Sequence, residues 1–289
     1  MIMDSKTQDK SACEIRPDVI NYDDVRSMVP ALDGHKGLVD KAFHFLKLDQ
    51  VNRIHRTFCD TPGWEFSHRM VNDEFKFKLR VDNIQVLSQF PEGPFITVSN
   101  HPFGSYDGIV LIDLVGGFRK DYKVMVNMIL NKIQAMRPTF IAVDPLKTDD
   151  PEKKKITMQG IRDAMRHVKE GHPLGFFPAG AVAKFNFKSM SVEDLPWQPT
   201  IMRLIKQLKV PVVPIYFHGH NSALSYILGA IDWRLRTLRL PAEVFRKYGS
   251  EVHITVGDPI SVERQERCET VEALTELLRG ETLSLKSVK

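Results

Sequence analysis

Beyond Asn83, this chain of 289 residues switches repeatedly between two kinds of segment. Short runs rich in β-branched and aromatic residues alternate with longer stretches whose apolar residues recur at helical spacing. The alternation predicts an α/β fold, in which a largely parallel, mixed sheet is flanked by helices. We expect strands at 84–87, 95–99, 123–126, 139–143, 175–177, 210–217 and 251–256. We expect helices at 127–136, 151–170, 201–208 and 270–279, and one that begins near Asp107.

The first 80 residues lack this alternation and carry helical patterns instead, so they predict a helical N-terminal segment. We therefore divide the chain into this segment, residues 1–80, and an α/β domain over residues 81–289. One helix is expected between Leu38 and Leu46. A second begins near Asp49, whose carboxylate suits a helix N-cap.

Composition and charge exclude several classes of protein. The 40 Lys and Arg residues exceed the 36 Asp and Glu residues by only four, too few for a dedicated nucleic-acid binder. The 3 cysteines form no CxxC pair, so we expect a reducing compartment and neither a disulfide framework nor a zinc ribbon. The sequence has no run of about 18 apolar residues and no apolar N-terminal stretch, so we expect neither a membrane span nor a secretory signal. A protein of this kind would reach lipid from the membrane surface.

Parallel sheets bind ligands at the carboxyl ends of their strands, which singles out the loops at 100–107, 144–148, 178–186 and 217–222. The first of them, within NHPFGSYDG at 100–108, carries the strongest chemical signal. A turn at Gly104 would return the Asp107 carboxylate to His101, so that one ring nitrogen is held as N–H and the other is a free base. Such a dyad removes a proton from a hydroxyl or amine while that group attacks an activated carbonyl.

The same two residues also have simpler explanations. A His–Asp contact is often only structural, and Asp107 begins a predicted helix that it would cap. A serine hydrolase is not supported, because Phe103 occupies the position of the first glycine in G-x-S-x-G.

Four blocks in order make the sequence resemble a known family over roughly residues 81–260. They are NHPFGSYDG at 100–108, FIAVDP at 140–145, FFPAGAVAKF at 176–185 and VPVVPIYFHGHNS at 210–222. The family is the PlsC-like superfamily of glycerolipid and lysophospholipid acyltransferases. The segment LDQVNRIH at 48–55 is similar to a bacterial, hemolysin-like branch that includes the O-acyltransferases of ornithine-lipid and glycine-lipid synthesis.

The resemblance implies a glycerol-phosphate-acyltransferase-like fold and an acyl transfer without a cofactor or a metal. His101 would be the general base on the hydroxyl of a lyso-lipid acceptor, and Asp107 would orient it. The co-substrate would be a thioester of acyl-carrier protein or CoA. The enzyme would be cytoplasmic and peripheral on the inner face of the cell membrane. Substrate contacts are expected from Asn100, Pro102, Gly104, Asp144, Pro178, Ala179, Gly180, Lys184 and Asn221.

Two departures from the family pattern concern the geometry of the dyad and the expected acceptor. Five residues instead of four separate the His from the Asp of the first block. In the third block, Ala179, Ala181 and Val182 replace a Glu, a hydroxyl residue and an Arg. That Arg is expected to bind an acceptor phosphate, because a guanidinium matches phosphate bidentately. Its absence favours an N-acylated amino acid as the acceptor. Lysophosphatidate remains the alternative, with Lys184 as a compensating point charge.

Further interpretations stay open at this stage. The apolar stripe between Leu224 and Leu238 is either packed on the sheet or lies on a membrane surface, in a helix that Pro241 ends. Backbone N–H groups near Gly180 would suit an oxyanion. His218 and His220 have the alternating spacing of metal ligands, without a third ligand nearby. A non-catalytic lipid-binding protein and a thioesterase are the rivals to a transferase.

Overall fold

The computed structural model describes residues 15–90, 92–144, 150–186 and 188–287, without the side chains of residues 233 and 234. The strands are β1 (Lys78–Asp82), β2 (Ile96–Ser99), β3 (Lys123–Asn127), β4 (Phe140–Val143), β5 (Leu174–Phe176), β6 (Lys184–Asn186), β7 (Ser191–Glu193), β8 (Val212–Phe217) and β9 (Glu251–Val256). The helices are α1 (Tyr22–Met28), α2 (Lys36–Phe45), α3 (Leu48–Phe58), α4 (Trp64–Arg69), α5 (Tyr106–Phe118), α6 (Pro151–Lys169), α7 (Pro199–Leu208), α8 (Ala223–Ile231), α9 (Trp233–Arg246), α10 (Val262–Glu266) and α11 (Val271–Ser284).

Seven of the strands form one sheet in the order β1-β9-β8-β2-β5-β3-β4. The run from β8 to β4 is parallel throughout, whereas β9 is antiparallel to β8 and pairs in parallel with β1. β6 and β7 form a separate hairpin. The predicted fold class, a largely parallel mixed sheet flanked by helices after a helical N-terminal segment, is confirmed.

Apolar side chains cover both faces of this sheet. On one face, Leu111 and Val115 of α5 are fully buried together with Phe66 of α4. On the other face, Met202 of α7 and Leu274 of α11 are fully buried. Successive strand residues point to opposite faces, so the same strands supply both cores. Because both faces are covered, we expect ligands to bind at the carboxyl edge of the sheet, in the loops that follow the strands. Among the described helices, none combines the length and the apolar character that crossing a bilayer requires.

Some predicted elements are wrong. Residues 84–87 belong to a 3-10 helix, Ile84–Gln89, instead of a strand, because Asn83 turns the chain with a φ of 58°. The predicted helix at 127–136 is replaced by two 3-10 helices, Met128–Lys132 and Gln134–Thr139. Pro138 lies inside the second of them, where a proline cannot donate a helical hydrogen bond.

The apolar stripe predicted as one helix is divided between α8 and α9. Asp232 separates the two helices with an extended backbone conformation. Pro241, predicted to end the helix, lies inside α9. A proline removes one backbone hydrogen bond and can bend a helix without ending it.

The sequence analysis also missed β1, which crosses the predicted boundary between residues 80 and 81. In β1, charged residues at 78, 80 and 82 alternate with Leu79 and Val81, which is the signature of an edge strand. The hairpin of β6 and β7 was missed as well.

Candidate active site

Hydrogen bonds of side-chain amides fix the loop that carries His101 to two neighbouring strands. The amide of Asn100 donates to the Phe217 carbonyl at 2.9 Å and accepts from the Phe217 N–H at 2.7 Å. These two bonds tie the end of β2 to the end of β8. The amide of Asn221 donates to the Phe103 carbonyl at 2.9 Å and holds the middle of the loop.

Within this loop, the structure brings His101 and Asp107 together. The Nδ1 of His101 lies 2.8 Å from Oδ2 of Asp107. The same carboxylate oxygen accepts from the backbone N–H groups of Phe103 and Gly104, both at 3.1 Å. These donors all precede α5, so Asp107 holds the loop and the imidazole, and helix capping alone does not explain it. Gly104 has a φ of 75°, which glycine adopts without strain, and this turn returns Asp107 to His101.

Within the dyad, the aspartate is shielded from solvent and the histidine is partly exposed. Asp107 is fully buried, whereas 19% of the His101 side chain is exposed. An ionised carboxylate only accepts hydrogen bonds, so Nδ1 of His101 carries the hydrogen and Nε2 of the neutral ring keeps a free lone pair. Among the described residues, none forms a hydrogen bond with Nε2. The arrangement therefore presents a base on a partly exposed imidazole.

Electrostatics favour the charged pair over two neutral groups. Burial lowers the pKa of His101, but the attraction and hydrogen bond of Asp107 outweigh it, so this pKa lies above its usual range. Burial raises the pKa of Asp107, but His101 and the two backbone N–H groups outweigh it, so this pKa lies below its usual range. Asp107 is thus an anion at neutral pH, and the imidazolium that forms during proton transfer is stabilised.

Asp194 contacts the His–Asp loop from a distant part of the chain, and the sequence analysis missed it. Its Oδ1 accepts from the backbone N–H of His101 at 3.2 Å, and its Oδ2 accepts from the indole of Trp197 at 3.1 Å. Burial raises the pKa of Asp194. No local pattern indicates this contact, because Asp194 and His101 are 93 residues apart in the chain.

The loop after β5 packs directly on the dyad. The ring of Phe177 lies 4.4 Å from the His101 imidazole between centroids. The Ala183 N–H donates to the His101 carbonyl at 2.9 Å. Val182 is buried against Gly104, so closely that a Cβ on Gly104 would overlap its side chain. The position where the resemblance implies an arginine is therefore filled by an apolar contact with the His–Asp loop.

Gly180, in the same loop, makes a tight turn with a φ of 65°. Its N–H donates to the Phe177 carbonyl at 2.9 Å, so this group is not free to stabilise an oxyanion. The carbonyls of Pro178 and Ala179 accept from the backbone N–H and the side-chain amide of Gln198, at 2.8 and 3.4 Å. The loop is thus anchored to the N-terminus of α7.

An apolar cleft of about 650 Å³ opens at the ends of β3, β4 and β5. Phe177 lines this cleft, and the same ring contacts His101. Asp144 and Gly180 lie in its wall, so the structure brings both to one place. The apolar part of the wall includes Met125, Val143, Ile161, Phe176 and Trp197. Volumes of about 300–1,000 Å³ are usual for sites that bind small molecules, and this one suits a flexible apolar chain.

The remaining predicted substrate contacts lie at different depths. Pro102 is buried in the His–Asp loop, and the amides of Asn100 and Asn221 form their hydrogen bonds inside the protein. Lys184 is exposed on β6 and lines a small surface cleft together with Asp194. Contacts of these residues with a substrate stay a prediction.

His218 and His220 do not converge on one point. The Nε2 of His218 lies 2.9 Å from the Thr255 hydroxyl, and Nδ1 of His220 lies 2.8 Å from the Asn221 carbonyl. In the ranges that the structure describes, no group of three or more His, Cys, Asp or Glu residues is arranged to hold a metal ion.

Comparisons with known proteins show what this chain is similar to. Two relatives are named lyso-glycine lipid O-acyltransferase. The one from Phocaeicola vulgatus is 24% identical over 266 residues, which cover 87% of this chain and 91% of the relative. The one from Bacteroides thetaiotaomicron is 26% identical over 219 residues, which cover 73% and 76%. Among solved structures, the 1-acyl-sn-glycerophosphate acyltransferase PlsC from Thermotoga maritima is similar, with a TM-score of 0.49 and 13% identity, and the match covers 91% of this chain and 92% of that one.

A family model described as "Acyltransferase" matches residues 30–289. This match spans most of the chain and contains all four blocks on which the resemblance was based. The relationship predicted from those blocks is therefore confirmed, and the chain belongs to the acyltransferase family.

Proposed function

We propose that this enzyme is a lipid O-acyltransferase. It transfers a fatty acyl group from a thioester donor, acyl-carrier protein or acyl-CoA, to the hydroxyl of a lyso-lipid. One observation carries the proposal: the buried His101–Asp107 dyad leaves Nε2 of His101 free beside Phe177, a ring that lines an apolar cleft. A base next to a cleft for an acyl chain is what transfer from a thioester to an alcohol requires.

In the proposed reaction, Nε2 of His101 takes the proton of the acceptor hydroxyl while its oxygen attacks the thioester carbonyl carbon. A C–O bond forms, and the tetrahedral intermediate then breaks its C–S bond. The imidazolium returns its proton to the leaving thiolate. Asp107 keeps Nδ1 protonated throughout and stabilises the imidazolium between the two steps. No covalent enzyme intermediate and no cofactor are needed.

For the acceptor, we propose an N-acylated amino acid, as in glycine-lipid or ornithine-lipid synthesis. The names of both relatives support a lyso-glycine lipid. The apolar packing of Val182 against Gly104 supports it as well, because no guanidinium is available there for a phosphate. The exposed Lys184 offers only a hydrated point charge, which is a weaker phosphate ligand than a buried arginine.

We further propose a peripheral contact between α8–α9 and the inner face of the cell membrane. Five apolar side chains of these helices are exposed at helical spacing, namely Leu224, Ile227, Ile231, Leu235 and Leu238. Met190, in the turn between β6 and β7, is also exposed and shares the rim of a cleft of about 540 Å³ with Ile227. An exposed apolar stripe of this kind suits a helix that lies in the headgroup layer.

The membrane contact is tested with the double variant I231E/L235E. We expect several-fold weaker binding to vesicles that contain anionic lipid, with unchanged turnover of a short-chain, water-dispersed acceptor. Unchanged vesicle binding would show that the protein meets lipid through another surface.

The acceptor is tested by competition. The purified enzyme receives a lyso-glycine lipid and lysophosphatidate together, with acyl-carrier protein or CoA thioesters as donors, and mass spectrometry identifies the products. We expect the diacylated glycine lipid to dominate. Exclusive acylation of lysophosphatidate would overturn the proposed acceptor. Thioester consumption with free fatty acid as the only product would indicate a thioesterase, and vesicle binding without thioester consumption would indicate a non-catalytic lipid-binding protein.

A further inference from the structure

Arg236 of α9 is a buried charge that the proposed reaction does not use. Only 6% of it is exposed. Its Nη1 donates to the Ala183 carbonyl at 3.2 Å. Its stem crosses Gly229 of α8, where a Cβ would come within 2.9 Å of the Arg236 Cδ. The fold thus makes room for this side chain between α8 and the loop that follows β5.

A comparison with Arg119, which is equally buried, shows what Arg236 lacks. Arg119 forms two hydrogen bonds with the Asp121 carboxylate and donates to three backbone carbonyls. In the described part of the chain, no carboxylate pairs with Arg236, and the Ala183 carbonyl is the one acceptor for its guanidinium. Burying a guanidinium is unfavourable unless an anion or several acceptors compensate for lost water. Arg236 is therefore prepared for an anion that the described residues do not supply.

The unpaired guanidinium lies next to the catalytic dyad. Arg236 donates to the carbonyl of Ala183, and the N–H of the same residue donates to the His101 carbonyl. The charge of Arg236 is felt at the imidazole, where it opposes the upward effect of Asp107 on the pKa of His101. If the hydroxyl of an acceptor contacts His101, an anionic group of that acceptor close to the hydroxyl would lie within reach of Arg236.

Tyr226 connects this guanidinium to Asn221, whose side chain has a buried polar atom. The Tyr226 hydroxyl accepts from the Asn221 N–H at 3.1 Å, and the Tyr226 side chain interacts electrostatically with Arg236. The Oδ1 of Asn221 is buried and forms no hydrogen bond with any described residue. A carboxylate and an amide N–H are the groups of an N-acylated amino acid that such a guanidinium and such an amide oxygen would bind.

We propose that Arg236 is the anion-binding residue of the acceptor site and that it binds the carboxylate of the acceptor's amino-acid head group. The inference rests on the proposed function, because only that acceptor carries a carboxylate close to its hydroxyl. A guanidinium matches a carboxylate with two parallel hydrogen bonds, which fixes both position and orientation. α9 then supplies the charge that the apolar Val182 does not.

The test compares R236Q and R236K with R246Q, a control that removes an exposed charge from the same helix. Each protein is assayed for kcat/KM with an N-acyl-amino-acid acceptor, with the methyl ester of that acceptor and with lysophosphatidate. In the parent enzyme we expect the free acid to exceed the ester by roughly 10- to 100-fold, as for a charge-assisted hydrogen bond in a buried site. We expect R236Q to lose this preference through a lower kcat/KM for the acid alone, R236K to be intermediate, and R246Q to match the parent enzyme.

The outcomes separate the two proposals. Equal use of acid and ester by the parent enzyme would overturn the role of Arg236 and leave the proposed function intact. A parent enzyme that ignores both forms and acylates only lysophosphatidate would overturn both. If R236Q lowers the turnover of every acceptor and raises KM for the thioester, the anion belongs to the donor and the acceptor role is wrong. Should R236Q fail to fold, the acid-to-ester ratio of kcat/KM in the parent enzyme and in R236K still decides whether Arg236 binds the carboxylate.

Discussion

In one His–Asp pair, Nδ1 of His101 lies 2.8 Å from Asp107, and in another, Nε2 of His253 lies 2.6 Å from Asp82. The distances are alike, but the carboxylates are not. Asp107 is fully buried and accepts from two backbone N–H groups, whereas Asp82 is 26% exposed on the edge strand β1 and accepts from the Thr255 hydroxyl. The first carboxylate is fixed in a medium of low polarity, and the second is screened by water.

The two imidazoles also differ in what surrounds them. The ring of His253 stacks on His218 with centroids 3.9 Å apart, at the surface of the sheet. The ring of His101 lies against Phe177, and Phe177 lines the apolar cleft. A short His–Asp distance is therefore not enough to make a general base. The carboxylate must be buried and fixed, and the other ring nitrogen must meet a place where substrate binds.

The largest expected effect is the difference in turnover between a variant without His101 and one without His253. H101A should lower kcat for acyl transfer by about 10²- to 10⁴-fold, because it removes the general base. H253A should leave kcat within about twofold, although it removes a His–Asp contact of the same length. Steady-state kinetics on both variants, with thermal unfolding as the control for folding, measures this difference. Near-normal turnover of a folded H101A would refute the dyad.

Removal of each carboxylate charge should give the second largest difference. D107N keeps the shape of the side chain, but its amide cannot stabilise an imidazolium, and its NH₂ can donate to Nδ1 and shift the ring hydrogen to Nε2. We expect kcat to fall by about 100-fold or more. D82N should change kcat very little, since Asp82 is partly exposed and remote from the cleft. Equal losses in the two variants would mean that both aspartates act only on folding.

The pH dependence sharpens the comparison further. Asp107 raises the pKa of His101. As the pH falls, the base therefore becomes protonated and inactive at a pH above the ordinary range of histidine pKa values. The acid limb of kcat/KM should therefore lie above about pH 6.5. It should move to lower pH in D107N, where the upward effect of Asp107 is lost and that of Asp194 remains, and to higher pH in R236Q. An acid limb that stays in place in both variants would assign it to another group.

These contrasts also explain how much the sequence reveals. His101, Gly104 and Asp107 are predictable because one short loop contains the base, the turn and the carboxylate. Asp194 and Arg236 are not, because each reaches the site through contacts across the fold, 93 residues from His101 and 53 residues from Ala183. The break between α8 and α9 was missed for a related reason. The apolar stripe continues across Asp232, and periodicity records which residues share a face but not where the axis changes direction.

The smallest expected effect concerns the turn at Gly104, which returns Asp107 to His101. Gly104 and Gly34 both have left-handed backbones, with φ of 75° and 77°. A Cβ at position 34 meets open space, whereas a Cβ at position 104 overlaps Val182. G34A should cost about 1 kcal/mol of unfolding free energy through backbone strain alone. G104A should cost roughly 1–3 kcal/mol more through overpacking and should lower kcat about tenfold by displacing the loop that holds Asp107.

The double variant G104A/V182A isolates the overlap from the backbone strain. Removing the γ carbons of Val182 should recover part of both losses, so the double-mutant cycle should show a coupling of about 1 kcal/mol or more. Chemical denaturation and steady-state kinetics on the four proteins of the cycle measure it. If the two substitutions add independently, the contact between Val182 and Gly104 does not fix the His–Asp loop. The geometry of the dyad would then depend on the hydrogen bonds of the loop, such as those of Asn100, Asn221 and Asp194.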